Sequence, residues 1–168
     1  MLPNHIQLRV DNHNSVLTAA GLPSSDSGFA ALTLATNRLM GRQLPEHQLS
    51  ARARLGSGSP SRSLWRGFVK WQVGEQVNGS DNAAFPLEPQ CLQLRVGLLT
   101  VLSQTKVVSS REGMARTIAT SALHKQWAQQ AESDLAIIEA AIEVGDFETM
   151  AITAEHNAMS MHATISAA

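Results

Sequence analysis

Gly21-Leu22-Pro23-Ser24-Ser25-Asp26-Ser27-Gly28 leads directly into Phe29–Met40, whose apolar residues recur at helical spacing and which stops at Gly41. A glycine- and serine-rich loop at a helix N-terminus presents backbone N–H groups, hydroxyls and the positive end of the helix dipole to an anion. It is not a Walker A loop, because no Gly-Lys-Ser/Thr follows it. The residues alone leave two interpretations open: a phosphate-binding loop, or an ordinary helix capped by Ser or Asp.

Two further segments combine serine, glycine and arginine. In Gly56-Ser-Gly-Ser-Pro-Ser-Arg-Ser63, a predicted loop, the glycines allow close backbone approach and Arg62 offers a planar fork for phosphate or carboxylate. Lys106-Val-Val-Ser-Ser-Arg-Glu-Gly113 places two cations in a predicted loop before a helix. The alternatives are a flexible connector for the first segment and a solvated turn with a local Arg111–Glu112 charge pair for the second.

The order of hydrophobic patterns predicts an α+β protein. Alternating patterns predict strands over His5–Asp11, Leu64–Val73 and Cys91–Leu102. Helical patterns cover Phe29–Met40, Glu46–Leu55 and the chain from Met114 onward, including Ala131–Val144 closed by Gly145. Asp146 is the predicted cap of a last helix that buries Phe147, Met150, Ala151, Ala154 and Met161. The polar stretch Val77–Asn82 is the predicted boundary between two structural halves.

Composition excludes several classes of protein. With 168 residues, of which 43% are hydrophobic and 16% charged, the chain can form a packed core and is not a disordered, highly charged segment. No apolar run approaches the roughly 18 residues of a membrane-spanning helix. The beginning of the chain carries no secretory signal pattern, and Cys91 is a lone cysteine without a Cys/His cluster, so we expect no disulfide, no zinc and a cytoplasmic location.

Charge is distributed unevenly along the chain. The 13 basic and 14 acidic residues give a net charge of −1, which favours neither nucleic acid nor an acidic membrane as a partner. Residues 1–84 carry a balance of +3 (8 − 5) and residues 85–168 a balance of −4 (5 − 9), and ten of the thirteen cations are arginines. An anionic ligand in the first half and a random spread of surface charge both fit this asymmetry.

Five blocks of sequence carry a family resemblance. They are Ala19-Ala-Gly-Leu-Pro-Ser-Ser25 with Gly28-Phe-Ala-Ala-Leu32, Ala53-Arg-Leu-Gly-Ser-Gly-Ser-Pro-Ser-Arg-Ser63 with Gly67-Phe-Val-Lys-Trp71, Val108-Ser-Ser-Arg-Glu-Gly-Met114 with Ala119-Thr-Ser121, Ala140-Ala-Ile-x-x-Gly-Asp-Phe147, and Glu155-His-Asn-Ala-Met-Ser-Met-His-Ala-Thr164. In this order they resemble the diphosphomevalonate decarboxylase family of the GHMP kinase superfamily. The resemblance covers nearly the whole chain, and Gly-Ser-Gly-Ser-x-x-Arg-Ser is specific to the decarboxylase branch.

The resemblance implies a fold and a domain organisation. It implies a GHMP kinase-like two-domain fold, with a ribosomal protein S5 domain 2-like N-terminal part and a ferredoxin-like C-terminal part, both truncated here. Residues 1–82 would belong to the N-terminal domain with its phosphate-binding loops, and residues 83–168 to the C-terminal domain. A homodimer is expected for the full-length form.

The resemblance also implies a reaction and its residues. ATP phosphorylates the 3-hydroxyl of mevalonate 5-diphosphate, after which loss of phosphate and carbon dioxide gives isopentenyl diphosphate. Gly21, Ser24 and Ser25 would bind the ATP phosphates, with Mg²⁺ sharing the charge and no metal ligand assigned to the protein. Ser110 and Arg111 would bind the 5-diphosphate. The remaining substrate-binding residues would be Ser57, Gly58, Ser59, Pro60, Ser61 and Arg62, with Arg62 catalytic because it orients the carboxylate for loss.

Two differences from the family pattern shape the alternatives. Asp26 stands where the family commonly has Ala or Ser, and a carboxylate beside phosphate costs Coulomb energy. The family's early Lys-Tyr-Trp-Gly-Lys and late Asp-Ala-Gly-Pro-Asn stretches, the latter with the proposed catalytic base, do not occur in these 168 residues. We therefore expect the chain to be a partial sequence that is inactive alone. The alternatives are a related mevalonate-type kinase, a phosphomevalonate decarboxylase, or a non-catalytic remnant.

Overall fold

A computed structural model of the chain describes residues 9–13, 24–88, 92–99 and 108–168. The chain divides into two compact units, Met1–Pro86 and Leu87–Ala168. The first contains α1 (Ser24–Leu39), α2 (Glu46–Ala53), a 3-10 turn (Ser59–Arg62), β1 (Val69–Trp71) and β2 (Ala84–Pro86). The second contains α3 (Ser110–Thr120), α4 (His124–Val144) and α5 (Phe147–Ser166). Helices combined with a sheet confirm the predicted α+β class.

Helix α1 begins five residues before the predicted start at Phe29, so the serines from Ser24 onward are helical rather than part of a loop. Asp26 in the first turn and Arg38 in the last turn both complement the helix dipole, which favours this longer helix. Its end agrees with the prediction. Gly41 has a φ of +60°, and the N–H of Arg42 donates to the carbonyl of Asn37 at 3.0 Å, as in a Schellman ending.

The two short strands of the first unit form an antiparallel pair. Val69 lies opposite Pro86 and Trp71 lies opposite Ala84. The predicted strand over Leu64–Val73 is therefore shorter than expected. Gly67, with a φ of +78°, interrupts the extended backbone before β1. The polar stretch Val77–Asn82 lies in the connection between the two paired strands.

Small side chains fill the interior of the first unit. The buried apolar residues there are Ala30, Leu49, Ala53, Ala83 and Ala84. Alanines let the backbones of these elements approach closely: α1 and β2 each contact both α2 and the 3-10 turn, and α2 contacts the 3-10 turn. A close approach of this kind leaves buried backbone N–H and C=O groups that need hydrogen-bond partners.

The second unit is helical in all of its described secondary structure. Ser109 caps α3 by accepting a hydrogen bond from the N–H of Glu112 at 3.2 Å. Helices α4 and α5 pack together across Gly145, which has a φ of +76° and ends α4 as predicted. Asp146 caps α5, as predicted, by accepting from the N–H of Thr149 at 3.1 Å. The expected burial is confirmed for Met150 but wrong for Phe147, which is 55% exposed, and for Ala154, which is also exposed. Ala151 and Met161 are half-buried.

One buried carboxylate joins α4 to α5. Asp134 accepts hydrogen bonds from the Asn157 side chain of α5 and from Gln130 one turn earlier, both at 2.8 Å. These two donors, that of Asn157 first, hold the pKa of Asp134 below its ordinary value. The apolar pattern did not reveal this polar contact.

Two predicted strands are wrong in those of their residues that the structure describes. Residues 9–11, the described part of the His5–Asp11 prediction, form no strand and are exposed. Residues 92–99 of the Cys91–Leu102 prediction also form no strand and are largely exposed, although their apolar residues alternate. Cys91 and the remaining residues of both predictions lie outside the described residues.

Candidate functional site

The N-terminus of α1 opens into a concave surface. Asn12, His13, Ser24, Ser25, Gly28, Phe29 and Leu32 line a cavity of about 520 Å³. Ser24 is buried and Ser25 is exposed, so both predicted ATP-phosphate serines reach the same cavity from the first turn of the helix. The first N–H groups of a helix have no intrahelical partner and carry the positive end of its dipole. This cavity therefore has the chemistry of an anion site. Gly21 lies outside the described residues.

Polar side chains surround that helix start. The hydroxyl of Ser25 donates to Asp26 Oδ1 at 3.3 Å, and the hydroxyl of Ser27 donates to the carbonyl of Ser24 at 3.2 Å. Asn12 and His13 line the same cavity and add groups that can donate to an anion. The sequence reasoning missed these two residues, since they precede the glycine- and serine-rich segment by about ten positions and no local pattern marks them.

Residues Gly56–Ser63, which we call the Gly-Ser turn, pack against α1 through their first glycine. The Phe29 ring of α1 lies directly against Gly56, at a place where any Cβ would collide with the ring. The prediction that these glycines permit close backbone approach is confirmed, with aromatic rings as the neighbours.

A second aromatic ring covers the middle of the Gly-Ser turn. A Cβ on Gly58 would lie 2.7 Å from Cη2 of Trp71 in β1. The indole is itself held in place, because its Nε1 donates to Oδ1 of Asn82 at 2.8 Å. Two elements, α1 and β1, thus fix the turn from its outside.

Asp81 supports the segment that holds Trp71. Its carboxylate accepts hydrogen bonds from the backbone N–H of Glu75 at 2.6 Å and from that of Gln76 at 3.1 Å. These bonds stabilise the charged form, and the one from Glu75 contributes most to lowering the pKa of Asp81. The loop that ends at Asn82 is therefore closed by a carboxylate that stays ionised at neutral pH.

Ser50 fixes the Gly-Ser turn from the inside. Its hydroxyl donates to the carbonyl of Ser61 at 3.0 Å and accepts from the N–H of Ala84 at 2.7 Å. Ser50 and Ser61 are both 0% exposed. The Ser61 hydroxyl in turn donates to the carbonyl of Gly58 at 2.9 Å, which closes the turn on itself. Sequence analysis did not single out Ser50, because an isolated serine in a helical pattern carries no signal.

The predicted substrate-binding residues of this turn differ in exposure. Arg62 is exposed, whereas Pro60 and Ser61 are buried. Ser57, Gly58 and Ser59 are half-buried. Arg62 therefore extends from a turn whose backbone is bound on several sides. The structure places this turn and α1 in contact within one unit, with Gly56 of the turn against Phe29 of the helix.

Ser110 and Arg111 occupy the first turn of α3 in the second unit, and both are exposed. The predicted loop over these residues is wrong, because the Ser109 cap starts the helix at Ser110. Their position in the first turn of a helix places them at the positive end of its dipole, which favours anions. Lys106 lies outside the described residues.

The described residues show neither a metal site nor a membrane-spanning helix. Among them, no group of three or more His, Cys, Asp or Glu side chains is arranged as a metal site. None of the helices in the described part of the chain is both long and apolar enough to span a membrane.

Two family models match the chain in consecutive order. Residues 2–84 match the diphosphomevalonate decarboxylase-like N-terminal domain, and residues 96–167 match the mevalonate 5-diphosphate decarboxylase C-terminal domain. Among curated proteins, the chain is 42% identical to a diphosphomevalonate decarboxylase of Aspergillus fumigatus, over 95% of this chain and 40% of that protein. It is 36% identical to the human diphosphomevalonate decarboxylase, over 97% of this chain and 41% of that protein. The chain thus spans about two fifths of the length of these relatives.

Solved structures show the same likeness. Mevalonate diphosphate decarboxylase from Staphylococcus aureus superposes with a TM-score of 0.75 at 37% identity, over 89% of this chain and 45% of that chain. A structure of MDDEF in complex with MVAPP, AMPPCP and magnesium gives a TM-score of 0.77 at 34% identity, over 91% of this chain and 47% of that chain. Both likenesses support the GHMP kinase-type fold.

Proposed function

Because the chain belongs to the diphosphomevalonate decarboxylase family, we propose that the whole protein decarboxylates mevalonate 5-diphosphate in a reaction that consumes ATP. The γ-phosphoryl group of ATP is transferred to the 3-hydroxyl of the substrate. That phosphate then leaves together with the carboxylate carbon, which departs as carbon dioxide. The products are isopentenyl diphosphate, carbon dioxide, phosphate and ADP. The observation that carries the proposal is the consecutive match to the N-terminal and C-terminal domain models of one enzyme family.

The start of α1 is the proposed site for the ATP phosphates. Gly21, Ser24 and Ser25 would bind them, with support from the concave surface at Ser24 and Ser25 and from the positive end of the helix dipole. Nucleotide-bound Mg²⁺ is held by phosphates, waters and one or two carboxylates. Asp26 is the one carboxylate in this helical turn and does not line the concave surface, so the phosphates and waters would hold the ion. When bound, Mg²⁺ would neutralise charge on the transferring phosphoryl group.

The Gly-Ser turn is the proposed site for the reacting end of the substrate. Ser57, Gly58 and Ser59 would face the ligand, while buried Pro60 and Ser61 hold the turn in shape. Exposed Arg62 would bind the substrate carboxylate with two parallel hydrogen bonds, as arginine's planar fork does well. Bound in this way, the carboxylate is kept in one orientation relative to the carbon bearing the leaving phosphate. A fixed orientation of the breaking bond lowers the entropic part of the barrier.

The start of α3 is the proposed site for the 5-diphosphate. Ser110 and Arg111 are exposed there, and the N–H groups of the first turn add donors. The 5-diphosphate does not react, so these contacts contribute equally to ground-state and transition-state binding. In this proposal, the residues that bind ATP and the substrate carboxylate belong to the N-terminal domain, and Ser110 and Arg111 belong to the C-terminal domain.

The test measures labelled carbon dioxide and ADP released by the whole protein from carboxyl-labelled mevalonate 5-diphosphate, ATP and Mg²⁺. We expect one carbon dioxide for each ADP. ADP without carbon dioxide would favour the related kinase instead, and preference for the 5-monophosphate would favour a phosphomevalonate decarboxylase. Binding of both ligands with no product would indicate a non-catalytic remnant. Any of these three outcomes overturns the proposal.

We propose further that the full-length form is a cytoplasmic homodimer. The support is the family resemblance together with the presence of one cysteine, which suits a reducing compartment. Sedimentation equilibrium of the whole protein and fractionation of its native cells test the two statements. A monomeric mass at micromolar concentration, or recovery of the protein outside the cytoplasm, would contradict them.

A further inference from the structure

We propose that Ser50 is a positioning residue for substrate binding: through its buried hydroxyl it holds the Gly-Ser turn in the shape that places Arg62. This inference rests on the proposed function, because it names the residue that prepares the carboxylate-binding site. Ser50 lies on α2 and touches no proposed ligand itself, so it acts only through the turn.

The hydroxyl of Ser50 joins three elements. It donates to the Ser61 carbonyl of the turn at 3.0 Å and accepts from the Ala84 N–H of β2 at 2.7 Å, while Ser50 lies on α2. Both serines are 0% exposed, and Ala84 is also fully buried. Solvent therefore has no access to replace either bond if the hydroxyl is lost. Among side chains of similar size, only threonine, with its extra methyl group, donates and accepts at one atom as strongly; the thiol of cysteine does so weakly.

The position of Ser61 in the chain explains how Ser50 affects substrate binding without touching the substrate. Ser61 directly precedes Arg62, so the carbonyl held by Ser50 belongs to the peptide bond that links them. With that carbonyl unpaired in the interior, the peptide unit is driven toward a new partner or toward water. Such a rotation moves the backbone from which the Arg62 side chain extends. A displacement of about 1 Å is enough to disturb a bidentate arginine–carboxylate pair.

The effect should be specific to one ligand. The N-terminus of α1, where the ATP phosphates are proposed to bind, has its own helical backbone and receives no hydrogen bond from Ser50 among those described. Ser50→Ala should therefore weaken binding of mevalonate 5-diphosphate far more than binding of MgATP. A residue that only stabilised the unit as a whole would weaken both ligands equally or neither.

The experiment is calorimetric titration of the same purified protein with mevalonate 5-diphosphate and, separately, with MgATP. Ser50→Ala is expected to raise the Kd for mevalonate 5-diphosphate about tenfold, equivalent to about 1.4 kcal/mol, and the Kd for MgATP by less than about twofold. The matched control is Ser121→Ala. Ser121 is also buried, but its hydroxyl has no hydrogen-bond partner within the described part of the chain, so both affinities should stay unchanged.

The outcomes separate this inference from the proposed function. If the unsubstituted protein does not bind mevalonate 5-diphosphate, the proposed function fails and the inference fails with it. If it binds and Ser50→Ala leaves that Kd within twofold, or weakens both ligands alike, the positioning role alone is wrong. If Ser50→Ala does not fold by circular dichroism, Ser50→Cys replaces it as the test, because a thiol is of similar size but is only a weak donor and acceptor. An unchanged Kd for mevalonate 5-diphosphate in that variant would then overturn the inference.

Discussion

Gly58→Ala tests whether the contact between the Gly-Ser turn and Trp71 is as close as the structure shows. Gly58 has a φ of −58° and a ψ of −53°, which suit any L-residue, so the substitution adds no backbone strain. The added Cβ would instead lie 2.7 Å from Cη2 and 3.3 Å from Cζ3 of Trp71, well inside van der Waals contact. The whole effect should therefore come from overpacking against one ring.

The expected magnitude follows from two opposing effects. Overpacking costs about 1–3 kcal/mol. Replacing glycine by alanine at a compatible backbone position returns about 0.4–1 kcal/mol by restricting the unfolded chain. The net loss in free energy of unfolding is then about 1–2 kcal/mol. For a unit of this size, that corresponds to a fall in Tm of roughly 4–16 °C.

A double-mutant cycle makes the assay specific. Trp71→Phe removes the six-membered indole ring to which Cη2, Cζ3 and Cζ2 belong, so Gly58→Ala in that background should cost at least about 0.5 kcal/mol less. Gly113→Ala is the control, because a Cβ there meets no atom within 4 Å and helix α3 should gain about 0.5–1 kcal/mol. Urea unfolding measures all four variants. Equal costs of Gly58→Ala with and without Trp71 would refute the reasoning.

Further predictions concern catalysis, the α4–α5 turn and acid stability. In the whole protein, Arg62→Lys keeps the charge but loses the planar fork, so kcat should fall about 10- to 100-fold, whereas Arg111→Lys should chiefly raise KM for mevalonate 5-diphosphate. Steady-state release of carbon dioxide measures both, and a change in KM alone for Arg62→Lys would show that Arg62 does not act at the reacting end. Gly145→Ala should lower the free energy of unfolding by about 1–2 kcal/mol, because the residue has a φ of +76°, and an unchanged urea midpoint would contradict this. Hydrogen bonds from Thr149, that of its side chain first, lower the pKa of Asp146 in the folded chain. The ionised Asp146 carboxylate therefore contributes fully to stability above the ordinary pKa of 3.8, and this contribution is lost as the pH falls through the lowered pKa. Asp146→Asn should reduce the loss of Tm between roughly pH 5 and pH 2, and an unaltered pH profile would contradict the assignment.

Helix positions were predictable where local chemistry decides them. Gly41, Gly145 and Asp146 end or begin helices because their backbone and side-chain preferences act within one turn. The start of α1 was not predictable in the same way. Serine and glycine are common both in loops and in first helical turns, so the segment Ser24–Gly28 carried no local signal that chose between them.

Strands depend on partners that a local pattern does not contain. Residues 92–99 alternate in hydrophobicity as a strand does, yet they pair with no strand among the described residues. In the described part of the chain, the only strands that pair are Val69–Trp71 and Ala84–Pro86. An alternating pattern shows that a segment is compatible with a sheet. Whether the segment forms a strand depends on hydrogen bonds to a partner segment that the local pattern does not contain.

The candidate site also contains residues that the sequence could propose and residues that only the structure shows. The resemblance could propose Arg62 from the Gly-Ser-Gly-Ser-x-x-Arg-Ser motif, since the motif is continuous in sequence. The structure was needed to see why the turn holds its shape. Ser50 reaches the turn across 11 residues of sequence separation, and Ala84 reaches Ser50 across 34, separations over which no motif extends.

The placement of Trp71 has an optical consequence. Its indole lies against Gly58 and is partly exposed, while Trp65 is bound to Glu46 and Trp127 belongs to the second unit. An indole at the edge of a turn proposed to bind an anion changes its emission wavelength and intensity when charge and water beside it change. Excitation of the protein near the red edge of tryptophan absorption would therefore report occupancy of the turn without any attached dye. A chain carrying phenylalanine at positions 65 and 127 would make that signal come from one ring.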